Sequence, residues 1–116
     1  MKQQRVPVEA VSITDASGLD RIHVFWQDIE PGKGYVTIIC YGAAWTAYWG
    51  AMGGKTIRQF FCEVDADYIV NRMGHTPHLK STKRDLEYLT RIVEAVRASL
   101  RETGAECAAA GEAGAA

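Results

Sequence analysis

The chain holds 116 residues, enough for one hydrophobic core and too few for two ordinary domains, and its 47% apolar and 23% charged residues exclude wholesale disorder and fibrous structure. A formal net charge of −1 excludes a polycation built for nucleic acid and a polyanion that imitates it, so a charge-driven partner must be met by a local patch. No stretch approaches the roughly 18 apolar residues of a membrane span, and the opening MKQQRVPVEA lacks the apolar run of a signal peptide, so the expected location is the cytoplasm, with no membrane partner.

Residues 7–14, PVEAVSIT, alternate weakly and then meet the turn signal DASG, which predicts a short first strand. In DRIHVFWQDIE the alternation is stronger: Ile22, Val24 and Trp26 point one way and His23, Phe25 and Gln27 the other, a second strand. The PGKG segment at 31–34 then turns the chain into YVTIICYG, giving a hairpin between 21–29 and 35–41. On the third strand Val36, Ile38 and Cys40 form one face and Tyr35, Thr37, Ile39 and Tyr41 the other. Both faces are largely apolar, which predicts a central strand with helices on at least one side.

After Gly42 the period changes. Trp45, Tyr48, Trp49 and Met52 fall at i, i+3, i+4 and i+7, the stripe of an amphipathic helix closed by Gly53 and Gly54. Thr56 caps a further short helix with Ile57, Phe60, Phe61 and Val64 inward, and Asp65 caps another that ends at Gly74. HTPHLK at 75–80 is a loop because Pro77 lacks a donor. Thr82 and Asp85 then form a capping box for a long helix carrying Leu86, Leu89, Val93, Val96 and Leu100 inward. The expected fold is α+β: a small antiparallel sheet of about three strands, then short helices and a long C-terminal helix. Residues 1–104 form one domain, and the Ala/Gly-rich residues 105–116 a disordered tail.

The residues offer little catalytic chemistry. Cys40, Cys62 and Cys107 are odd in number and lack paired spacing, which predicts free thiols, the first two buried in apolar runs and the third exposed. Those apolar surroundings raise a thiol pKa and argue against a nucleophile. Cys62, Asp65, Asp67, His75 and His78 lie within seventeen residues, yet they lack the fixed spacing of a zinc site, so neither metal nor cofactor is expected. The glycines before Lys55-Thr56 miss the spacing of a phosphate-binding loop. The chain is therefore read as a non-enzyme.

Two surfaces remain. The stripe of Trp45 and Trp49, with Arg58 beside it, packs on the sheet or serves as a partner-binding hot spot. Residues 80–101 carry six basic side chains against three acidic ones, and Lys83, Arg84, Arg91, Arg97 and Arg101 are the candidates for contacts to nucleic-acid phosphates.

The segment from Val24 to Met73 adds a resemblance. Its glycine-rich hairpin, the run from Tyr41 through Trp45, Tyr48 and Trp49 to Met52, then Phe60-Phe61-Cys62 and Asp67-Tyr68-Ile69-Val70, resemble a group of small proteins from tailed phages and prophages. The resemblance spans under half the chain and carries no functional residues across. It implies a phage origin and action in the cytoplasm of a bacterial host. In that setting small non-enzymatic proteins often bind and inhibit host complexes, anti-CRISPR proteins among them. The expected partner is thus a host protein complex blocked through its surface, with a second copy of the chain as a further partner. The rival reading is a nucleic-acid-binding accessory of phage recombination or replication.

Overall fold

Four strands, each joined to the next in sequence, form an antiparallel meander in the order β1-β2-β3-β4, where β1 is Glu9–Ile13, β2 Ile22–Glu30, β3 Lys33–Cys40 and β4 Ala43–Trp49. Three helices follow: α1 Ile57–Glu63, α2 Ala66–Gly74 and α3 Lys83–Thr103. The computed structural model describes residues 1–76 and 79–103, so the tail expected over 105–116, Cys107 and His78 lie outside the described residues. The α+β class and the long last helix are as the sequence predicts, with four strands where about three are expected.

The additional strand is β4, and it corrects the helix expected around Trp45. Tyr41 and Gly42, with φ of 49° and 77°, form a two-residue turn with both central residues left-handed, the type I′ pattern that sends a twisted strand straight back along its neighbour. The chain then pairs with β3 from Cys40↔Ala43 to Gly34↔Trp49. Along β4 burial alternates with period two: Trp45, Ala47 and Trp49 face the core, and Ala44, Thr46 and Tyr48 face out. Tyr48 therefore leaves the helical stripe, and only the two indoles and Met52 go inside. The Thr37 and Thr46 hydroxyls, 3.1 Å apart, tie the pair across the outer face.

One face of the sheet carries the core. Ile22, Val24 and Trp26 of β2, Val36, Ile38 and Cys40 of β3, and Trp45 and Trp49 of β4 pack against Ile57 and Phe61 of α1, Ile69, Val70 and Met73 of α2, and Leu89, Ile92, Val93, Val96 and Leu100 of α3. Trp26 meets Phe61 edge-on at 5.2 Å, and Trp49 packs on Phe60 at 5.4 Å while its Nε1 donates to the Tyr68 hydroxyl at 3.0 Å.

The helices begin where their sequences say. Thr56 and Gln59 form a capping box on α1, and Thr82 and Asp85 another ahead of α3. The bonds from Thr82 hold the exposed Asp85 carboxyl below its ordinary pKa. Asp65 occupies the N-cap position of α2 but makes no capping hydrogen bond through its side chain, contrary to expectation.

The helix layer is fastened to the sheet at its β2–β3 end. The Ile57 backbone N–H donates to Asp28 Oδ1 at 2.7 Å, Gly32 donates to the Lys55 carbonyl at 3.3 Å, and Met52 donates to the Gly32 carbonyl at 2.9 Å. Gly34 lies directly under this junction. A Cβ there would stand 3.1 Å from the Ile57 Cβ and 2.9 Å from the Gln27 carbonyl oxygen. Gly34→Ala is expected to lower the denaturant midpoint by an amount equivalent to about 1–3 kcal/mol, the usual cost of overpacking, with an unchanged m-value. Urea unfolding followed by tryptophan fluorescence measures it.

Candidate functional site

Each proposed contact is first a question of where the fold puts it. Trp26, Trp45 and Trp49 are 3%, 7% and 5% exposed, so all three indoles lie in the core of a single chain. Trp45 and Trp49 are thereby corrected from surface candidates to packing residues, because β4 turns them under the helices. Arg58 is not a free surface cation either. It forms an ion pair with Glu9 across from α1 to β1, and its Nε is buried without a partner.

The basic residues of α3 scatter in the same way. Arg91 donates to the Gly18 carbonyl at 3.1 Å and Arg97 to the Cys62 carbonyl at 3.3 Å, so both act as struts from the helix to its neighbours. Burial, with Arg101 nearby, pushes the Arg97 guanidinium below its ordinary pKa. Lys83, Arg84 and Arg101 are exposed, but Asp85, Glu87 and Glu94 lie between Arg84 and Arg101 along the helix. The structure does not gather these five residues into one basic surface.

Among the described residues no group of three or more His, Cys, Asp or Glu is placed to hold a metal ion, and no helix is long and apolar enough to cross a membrane. The expectation of free thiols holds for Cys40, which is buried, and is corrected at Cys62, which is disulfide-bonded. Cys40 has a specific setting: its Sγ lies 3.3 Å from the Tyr88 hydroxyl, and Tyr88 packs against Trp45 at 6.0 Å.

What the fold exposes is the opposite face of the sheet, which no helix covers among the described residues. It presents Ala10 and Ser12 of β1, His23, Phe25 and Gln27 of β2, Lys33, Tyr35, Thr37 and Ile39 of β3, and Ala44, Thr46 and Tyr48 of β4. Tyr35 and Tyr48 stand opposite each other with ring centroids 5.0 Å apart, and they are 44% and 38% exposed. Their rings border a cleft of about 340 Å³ closed on its far side by Arg72, His75 and Thr76. Arg72 reaches from α2 to the Tyr48 carbonyl at 3.0 Å.

Charge on this face is sparse. Lys33 pairs with Glu30 at 2.9 Å, and that hydrogen bond holds its ammonium above the ordinary pKa. The centre, from Phe25 through Thr37 to Thr46, is aromatic and hydroxylic. Aromatic side chains with few charges make up the core of a protein interface, whereas a strand of nucleic acid requires a positive groove as well as stacking rings. The sequence set Tyr35 on the face of the third strand opposite Val36, Ile38 and Cys40, with both faces largely apolar and nothing to tell which was open. Tyr48 was hidden inside the helical stripe, and the signal that frees it is the Tyr41-Gly42 turn followed by alternation.

The family comparison covers most of this architecture. The model of the Phage_phiTE_072 family, a phage family, matches residues 1–80, which include the whole sheet, α1, α2 and the face just described, and stop short of α3. No curated protein and no solved structure matches the chain.

The Tyr88 phenol supplies a test of the site's underlying packing. Its hydrogen bond to Cys40, together with burial, pushes its pKa up from 10.0 to about 12. A folded-state pKa raised above the unfolded one contributes stability that is complete below pH 10 and lost as pH rises through 12. Tyr88→Phe is expected to flatten the fall in stability across that window. Urea midpoints measured at intervals across it for both proteins would show the difference.

Proposed function

The chain belongs to that phage family, and from this premise we propose that it is a non-enzymatic accessory protein that binds a host protein complex through the open face of its sheet and blocks it. A bacterial defence assembly such as CRISPR–Cas is the kind of complex meant. One observation carries the reading: the sheet keeps its three tryptophans for the core yet leaves Phe25, Tyr35 and Tyr48 on a face that no helix covers among the described residues. Tyrosine is enriched in interface cores because a rigid ring buries much area while its hydroxyl finds a polar partner. A domain that needed this face only for solubility would carry charges there.

The mode follows from charge. At a formal net charge of −1 the chain does not imitate DNA, so inhibition works by occupying a protein surface. Binding through phosphates is the weaker reading, since Arg91 and Arg97 are bonded to backbone carbonyls of the chain itself.

Affinity capture from bacterial lysate, with and without nuclease, tests the proposal when wild type is compared with a Tyr35→Asp, Tyr48→Asp double variant and a Lys83→Ala, Arg84→Ala, Arg101→Ala triple variant. The expected result is a discrete host complex that survives nuclease, is retained by the triple variant and falls at least tenfold with the double variant, the loss of about 1.4 kcal/mol or more. Retention that is lost on nuclease treatment or with the triple variant would reverse the assignment toward nucleic acid.

A further inference from the structure

The two edges of the sheet are finished differently. The type I′ turn between β3 and β4 makes Cys40↔Ala43 a hydrogen-bonded pair, and strict alternation carries that parity across the sheet. On β4, Tyr48 then points its backbone outward, in agreement with Arg72 donating to its carbonyl. Of the outward groups on this edge, that one carbonyl is held by a side chain from α2.

On β1 the same parity turns Glu9, Val11 and Ile13 toward β2 and leaves Ala10 and Ser12 with their N–H and C=O groups outward. Among the described residues nothing bonds to those groups. The strand carries none of the usual guards of an open edge: no bulge, no proline within it and no lysine. Its one charge, Glu9, is engaged with Arg58 inside the same chain. Val6, Val8 and Val11 beside it are exposed.

We propose that β1 pairs with β1 of a second copy, antiparallel about a two-fold axis through Val11, to make one continuous sheet across a homodimer. The sequence of the strand, Glu-Ala-Val-Ser-Ile, fits its own reverse. Ala10 lies opposite Ser12 of the second copy and Ser12 opposite its Ala10, each pair exchanging two backbone hydrogen bonds through the groups left outward. Val11 meets Val11 in the close, non-hydrogen-bonded position, and Glu9 meets Ile13, so no like charges oppose one another.

The flanks agree with this register. Continued by the same rule, Pro7 falls on the parity that faces β2, so its missing N–H removes no bond to the second copy, and Arg5 lies one diagonal step from Asp15 of that copy. Directly opposed residues share a face, so the helices of both copies lie on one side and the two open faces join on the other. This inference is independent of what the open face binds.

Sedimentation velocity and light scattering on the full chain over a wide concentration range give the first test, with Val11→Lys and Ala10→Pro as variants. Val11→Lys sets two ammonium groups face to face on the axis, and Ala10→Pro removes an outward N–H that no bond among the described residues uses. Wild type is expected as a dimer, and both variants as single chains with unchanged far-ultraviolet circular dichroism. In wild type the Ala10 and Ser12 amides are expected to exchange with solvent as slowly as the inward amide of Val11, a readout that stands even if a variant fails to fold. A wild type that stays a single chain throughout, a dimer that persists in both variants, or fast exchange at Ala10 and Ser12 would overturn the proposal.

Discussion

The bond from the Ile57 N–H to Asp28 decides where the helices lie, because it begins α1 at one fixed point on the sheet. A one-sided sheet has no intrinsic preference for where its cover starts, and a seven-residue helix is too short to hold itself in place. Gly32 and Gly34 let the chain from 52 to 57 approach the β2–β3 turn closely, and the capping box of Thr56 and Gln59 sets the direction of α1 from there. From that start Phe61 reaches Trp26, α2 follows after two residues, and α3 brings Tyr88 onto Cys40 and Trp45.

This placement separates two kinds of aromatic residue. The indoles are under the helices, where a large apolar ring removes most area from water, and the exposed rings are phenols, which tolerate water at one end. Tyr88 is the exception, a phenol drawn partly inward and matched there by the Cys40 thiol. The binding reading rests on this division, since an open face of tyrosines and threonines remains soluble while offering the contacts an interface uses.

Much of the fold was legible because its signals are local. The alternation of 22–27 and 36–40, the turn at Pro31-Gly32, the Thr56 cap and the Thr82–Asp85 capping box all act within a few residues, and each reappears in the structure. Residues 43–49 misled because Trp45, Tyr48 and Trp49 satisfy a helical spacing, and the alternative alternation runs through Ala47, a residue too small to register as apolar pattern. Tertiary context settled the choice: beside β3 the strand gains backbone bonds and cross-strand pairs that an isolated helix over the same residues would lack. The roles of Arg58, Arg91 and Arg97 were unreadable for a related reason. Their partners, Glu9, Gly18 and Cys62, lie 35 to 73 residues away in sequence, and no local pattern announces such contacts.

The meander has a kinetic side as well. Each strand pairs with its neighbour in sequence, and two of the three links are two-residue turns, so the sheet zips by closing short loops at little entropic cost. The cover comes later in the chain. During synthesis on the ribosome the sheet is complete by Trp49, but the residues of α3 that shield it, from Leu89 to Leu100, are translated some forty residues afterwards, a delay of a few seconds at ~5–20 residues per second. In that interval Trp45, whose partner ring Tyr88 belongs to α3, faces water, and the nascent chain presents the kind of apolar surface that a ribosome-bound chaperone holds.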